Sequence, residues 1–201
     1  MQDRARTQFE KDHAALKNYL LGRGYHQALI ALGFANHYHK GMRKDGCTPE
    51  LHHQIRIAFS VLTLRDVANE ELCVVLALLH DTPEDYGVSH EMLKNTFNEE
   101  IARKACILDK GQHPDDVAYM LAIANDRECS IVKGADNGDN IQSMVGAFTK
   151  EKMMSYIART QETILPMLKN AAAQFPEQTF AYAGLRSRLK DQLKLYNALL
   201  A

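Results

Sequence analysis

Eight consecutive apolar residues, Leu72-Cys73-Val74-Val75-Leu76-Ala77-Leu78-Leu79, run straight into His80-Asp81. A helix apolar on every side must be buried all round, so it lies at the centre of whatever this chain folds into. Eight residues are far short of the roughly 18 that a membrane span requires. The centre of the fold therefore carries, at its end, an imidazole and a carboxylate. Burying two such groups costs free energy unless they are paired or hold a metal.

Around that segment the pattern is helical throughout. Apolar pairs recur at helical spacing and few stretches alternate with period two. The periodicity predicts helices over 5–21, 24–40, 51–65, 70–80, 90–98, 99–109, 114–124, 127–146, 150–170 and 177–200. Breakers fall between them: Gly22 and Gly24, Gly41 and Gly46, Pro83 and Gly87, Gly111 and Pro114, Pro176. The expected class is all-α, a single-domain helical bundle. With 201 residues and no repeat or linker, residues 1–201 are expected to form one domain. Its motif-bearing core would span about 25–145, and helices over about 150–200 would complete it.

Charge excludes some partners. The net charge is −1, which provides no field for a nucleic-acid polymer or an anionic membrane. The opening Met1-Gln2-Asp3-Arg4-Ala5-Arg6 is too polar for a signal peptide. Cys47, Cys73, Cys106 and Cys129 contain no C-x-x-C pair, so they predict neither a disulfide framework nor a zinc ribbon. Together these features predict a cytoplasmic protein with reduced thiols. Monomer and homo-oligomer both fit the sequence.

The nine histidines are uneven, six lying between residues 26 and 80. His80 and Asp81 suit a borderline divalent metal if other donors complete the shell. The 27 residues from His53 to His80 span one helix, a turn and a second helix. Antiparallel packing of the two would let His53 face His80. Lys133, Asp136, Asn137 and Asn140 stand at i, i+3, i+4 and i+7 on one helix face. Asp136 could be a further ligand, with Lys133 and Asn140 as donors to a phosphate. Thr82-Pro83-Glu84-Asp85 reads as a helix start with Thr82 as N-cap, and Glu84 and Asp85 also as acid/base groups beside the metal. Arg43-Lys44 sits in a glycine-flanked loop and could hold a phosphate or stack on a base. Arg186, Arg188, Lys190 and Lys194 read as the solvated face of the last helix.

Four stretches carry a family resemblance. Phe34-Ala35-Asn36-His37-Tyr38-His39-Lys40-Gly41-Met42-Arg43-Lys44-Asp45-Gly46 is similar to F-A-x-x-x-H-x-G-Q-x-R-K-x-G, one residue shorter before Arg43. Thr48-Pro49-Glu50-Leu51-His52-His53 is similar to T-P-Y-I-x-H, and Ala77 to Asp85 to A-L-L-H-D-x-x-E-D. Val132-Lys133-Gly134-Ala135-Asp136-Asn137-Gly138-Asp139-Asn140 is similar to x-K-L-A-D-R-x-x-N. The chain thus resembles the HD metal-dependent phosphohydrolases, and among them the RelA/SpoT-type hydrolase domain. The resemblance implies an HD-type bundle with one manganese ion on His53, His80, Asp81 and Asp136. Glu84 and Asp85 would serve hydrolysis, and Arg43, Lys44, Lys133, Asn137 and Asn140 would contact a nucleotide. The implied reaction removes the 3′-pyrophosphate of ppGpp or pppGpp, leaving GDP or GTP. The stretch after residue 145 is too short for a synthetase domain, so a small stand-alone hydrolase is expected.

The chain departs from the pattern at Glu50, Gln54, Met42, Asn137 and Gly138-Asp139. The change beside Asp136 motivates a second expectation, an HD phosphohydrolase acting on a deoxynucleoside triphosphate or on the 2′-phosphate of NADPH. A non-catalytic HD binding module is the third.

Overall fold

The computed structural model describes residues 2–200, with side chains from Arg4 to Leu200. Met1 and Ala201, the ends of the expected 1–201 domain, lie outside the described residues. The helices are α1 (Gln2–Arg23), α2 (His26–Tyr38), α3 (Glu50–Leu62), α4 (Glu70–Leu79), α5 (Thr82–Tyr86), α6 (His90–Thr96), α7 (Glu99–Leu108), α8 (Asp116–Ala124), α9 (Arg127–Gln142), α10 (Lys150–Arg159), α11 (Leu165–Gln174) and α12 (Thr179–Leu200). Among the described residues there is no β-strand, and the fold is an all-α helical bundle. No described helix is long and apolar enough to cross a membrane.

α4 is the axis. Every residue from Leu72 to Leu79 is buried, and α2, α3, α7 and α9 pack around it. Capping starts these helices where the sequence offers an acceptor. The side chains of Asn69, Ser89, Asn98, Asp115, Asp126 and Thr149 each accept a backbone N–H of the turn that follows. α2 has no such side chain at its own start. Instead Glu71 of α4 accepts the N–H groups of Gln27 and Ala28 at 2.8 and 3.3 Å, placing a carboxylate at the positive end of α2.

α1 packs on the core rather than standing off it. Leu16 and Leu20 are fully buried, and Asp12 meets His52 Nε2 at 2.8 Å. His52, which as a lone helix histidine would belong at the surface, is thereby buried under α1.

Three boundaries differ from expectation. Thr82 is not the cap of α5. The chain leaves α4 through His80 and Asp81 still in right-handed helical backbone, so the free carbonyl of Leu79 draws the Thr82 hydroxyl at 2.7 Å. α9 stops at Gln142, four residues early. The following turn passes through Gly146 at φ 80° and swings Phe148 back toward the site. The expected 150–170 helix is instead α10 and α11, joined by a π-helical turn over Thr160–Ile164. Pro166, within the first turn of α11, lacks the N–H of a continuous helix, and a wider turn accommodates it. α11 and α12 then close on α9 at Gly134. A Cβ there would come within 2.9 Å of Leu168 and 3.1 Å of Leu185.

A buried ion cluster fixes the start of α9. Lys104 Nζ donates to both oxygens of Asp126 at 2.8 and 2.7 Å and to Glu128 at 2.7 Å. All three residues are buried. Lys104→Met leaves Glu128 to Arg127 alone and Asp126 to the Cys129 N–H and Arg103, and unfolding in urea should show a loss of about 3 kcal/mol.

Candidate metal and substrate site

α3 and α9 lie alongside α4, and the end of α4 opens onto both. This brings His53, His80 and Asp136 together, all buried, with one donor atom of each within 4.8 Å of the others. Asp136 Oδ1 is 3.3 Å from His53 Nε2 and 3.8 Å from His80 Nε2. Asp81 closes the group, with Oδ1 3.0 Å from His80 Nε2 and Oδ2 3.9 Å from His53 Nε2.

These spacings fit a divalent ion. Donors about 2.0–2.2 Å from one ion stand about 3–3.5 Å from each other. The orientation fits as well. His80 Nδ1 meets the carbonyl of Ala77 at 3.0 Å, which aims Nε2 at the carboxylates. That Nε2 is buried and lacks a well-directed hydrogen bond despite the closeness of Asp81. Burial alone would lower the basicity of His80, yet Asp81 and Asp136 raise its pKa to about 9. The pocket thus draws positive charge to the place a metal cation would occupy. Two imidazoles with two carboxylates suit a borderline divalent metal.

The surrounding residues hold these donors. Lys133 Nζ donates to Asp136 Oδ2 at 2.9 Å and Asn140 Nδ2 to Asp136 Oδ1 at 2.6 Å. Both were expected to face a nucleotide; the fold turns both onto Asp136, while leaving them in the cavity wall. Asn140 Oδ1 also accepts from Arg43 at 2.9 Å. Gln54 donates to Asp81 Oδ2 at 3.1 Å. Asp139 Oδ2 meets His53 Nδ1 at 2.6 Å.

Asn137 departs from expectation. It is 2% exposed, accepts the hydroxyl of Thr160 at 3.1 Å, and is not in the cavity wall. One residue beyond Asp136 on a helix means a turn of about 100°, which carries Asn137 to the face covered by the π-turn.

Three of the four converging residues, His53, Asp81 and Asp136, border a cavity of about 740 Å³, with His80 behind them. Both signs of charge line this cavity: Asp45, Glu50, Asp81, Glu84, Asp85 and Asp136 with Arg43, Lys44, Arg56, Lys133 and Lys152. Glu84 and Asp85 are exposed there on α5. Burial first, then the charges of Asp81 and Glu84, push the Asp85 carboxyl above its ordinary range. The Arg43-Lys44 loop is fixed by Asp45, which accepts from the Cys47 and Thr48 N–H groups and the Thr48 hydroxyl at 2.9, 2.8 and 2.6 Å. Those bonds outweigh burial and hold Asp45 at about 2. Gly46 at φ 68° makes the reversal.

Sequence reasoning missed Phe148, Lys152 and Tyr156, which line the same cavity. Lys152 and Lys44 lie 4.3 and 5.8 Å from the Phe148 ring centre. Only the early end of α9 brings them in, and Gly146 was the available sign. His39 also lines the cavity. It is buried with Nε2 unpartnered, and burial lowers its pKa to about 4.

Comparison with known proteins points the same way. The chain is 26% identical over 145 residues to a guanosine-3′,5′-bis(diphosphate) 3′-pyrophosphohydrolase of Aquifex aeolicus, covering 68% of this chain and 20% of that protein. It is 24% identical over 165 residues to proteins named GTP pyrophosphokinase rsh from Brucella melitensis and Brucella ovis, covering 74% of this chain and 22% of theirs. The chain spans about a fifth of the length of these relatives. No protein-family model matches it. In sequence, and in the helical frame that gathers its histidines and aspartates, the chain resembles the HD-type hydrolases of the RelA/SpoT kind.

Proposed function

We propose that this chain is a manganese-dependent phosphohydrolase that removes the 3′-pyrophosphate of ppGpp or pppGpp, giving GDP or GTP. The observation that carries this reading is the meeting of His53, His80, Asp81 and Asp136 beside a cavity that Arg43, Lys44, Lys133 and Lys152 also line. Residues 1–201 would act as one hydrolase domain.

His53, His80, Asp81 and Asp136 would hold the ion. Bound there, a divalent metal lowers the pKa of water and polarises a phosphoryl oxygen. The chain's own residues do the rest. Glu84 and Asp85 face the cavity from α5, and Asp85 takes the proton of the attacking water. The water oxygen bonds to the phosphorus next to the ribose 3′-oxygen, that P–O bond breaks, and the 3′-oxygen is protonated. Arg43, held by Asn140, and Lys44 and Lys152 neutralise phosphates. Phe148 offers a face to the base.

Purified protein with manganese should release pyrophosphate and GDP from ppGpp, and a chelator should stop it. No release from folded, manganese-loaded protein would overturn the substrate. The inward turn of Asn137 leaves no arginine where the family pattern has one, which favours assaying NADPH and deoxynucleoside triphosphates beside ppGpp. Phe148→Ala should raise KM about tenfold with kcat little changed, because base stacking on an aromatic is worth about 1–3 kcal/mol.

A further inference from the structure

α3 and α9 carry the same spacing and lie side by side. His53 and Arg56 stand three residues apart on α3; Asp136 and Asp139 do the same on α9. Residues three apart share a helix face, so the two pairs face each other in adjoining turns. In one turn, His53 Nε2 is 3.3 Å from Asp136 Oδ1. In the next, Asp139 Oδ2 meets His53 Nδ1 at 2.6 Å. Arg56 grips that carboxylate with both arms, Nε to Oδ1 at 2.6 Å and Nη2 to Oδ2 at 2.8 Å. The same Nη2 reaches the Ser143 hydroxyl at 3.3 Å.

The geometry is that of a held ligand. His53 and Asp139 are 2% and 6% exposed, so water does not compete for their bond. A carboxylate at Nδ1 fixes the proton on that nitrogen and leaves the Nε2 lone pair directed at Asp136 and Asp81. His80 has no such support, since its Nδ1 meets only the Ala77 carbonyl. The two histidines are therefore held differently, His53 by a carboxylate and His80 by a backbone carbonyl.

We propose that Arg56 and Asp139 are a positioning pair that sets the affinity of the site for its divalent metal, by holding His53 in one tautomer and one orientation. This rests on the metal reading above but not on the nucleotide. Neither residue would ligate the ion; Arg56 reaches the cavity wall, with its guanidinium engaged by Asp139 and Ser143. A carboxylate behind a ligating histidine contributes about 10–100-fold to metal affinity.

The test is calorimetric titration of the chelator-stripped chain with Mn2+, paired with its melting temperature. Asp139→Asn should bind Mn2+ about 10–100-fold more weakly. It also leaves Arg56 without its counter-charge, so its melting temperature should fall. The double variant Arg56→Gln/Asp139→Asn restores charge balance and keeps amides in hydrogen-bonding reach. It should regain melting temperature while its Mn2+ affinity stays low. Recovery of both together would mean the pair only supports the fold, and would overturn the proposal. So would wild-type Mn2+ affinity in Asp139→Asn. Absence of Mn2+ uptake by the wild-type chain would overturn the metal reading itself, and the pair's role with it. Loss of ppGpp hydrolysis with Mn2+ uptake intact would overturn the substrate alone.

Discussion

Asp81→Ala should abolish pyrophosphate release and metal uptake together while the bundle still folds. Asp81 occupies the position before α5, yet its side chain makes no capping bond there, so α5 does not need it. Its side chain is 30% exposed, and its losses are the contact with His80 and the bond from Gln54. The fold therefore tolerates the change while the metal group loses one of two carboxylates. Asp136→Asn should behave differently. Lys133 Nζ, 17% exposed at its side chain, loses the carboxylate it donates to, and a buried charge without its partner is strongly destabilising. That variant should lose activity and melting temperature at once. Circular dichroism beside a manganese titration and the pyrophosphate assay separates the two. Undiminished release by folded Asp81→Ala would place the reaction elsewhere.

Asp85→Asn should lower kcat by about 10²–10⁴-fold, the usual contribution of a positioned acid or base, with Mn2+ affinity near that of the unaltered chain. Asp85 lies outside the group of donors that meet, so removing it leaves them in place. Its carboxyl is pushed up by burial and by the neighbouring charges of Asp81 and Glu84. A base acts when deprotonated, so the rate should climb with pH through the Asp85 titration. Glu84→Gln removes one like charge, so Asp85 should lose its proton at lower pH and the acidic limb should move down. Glu84→Gln should also reduce turnover while leaving the metal bound. A pH–rate profile of both variants reads this directly, and an unchanged acidic limb in Asp85→Asn would remove Asp85 from the role of base.

Most of the helical frame was legible because its determinants are local. Asn69, Asn98, Asp115, Asp126 and Thr149 stand just before apolar-periodic runs, and each caps a helix. The run from Leu72 to Leu79 could only be central. The errors also had local causes. Gln142 to Val145 is compatible with helix, so the early end of α9 was invisible without the packing that turns Phe148 onto the cavity. Helical periodicity carries on through Pro166, so the π-turn that accommodates it left no mark in the apolar pattern.

The sequence by itself determined that a buried helix would end in His80-Asp81, and that His53 and Asp136 were candidates to join it. Only the tertiary structure decided how α3 and α9 are set against each other, and hence which neighbours serve which donor. That register turns Lys133 and Asn140 onto Asp136, sends Asn137 into the core, and places Asp139 and Arg56 behind His53. The physical reason is geometric. Residues three and four apart share a helix face in any helix, whereas the face a neighbouring helix meets is fixed by packing contacts distant in sequence.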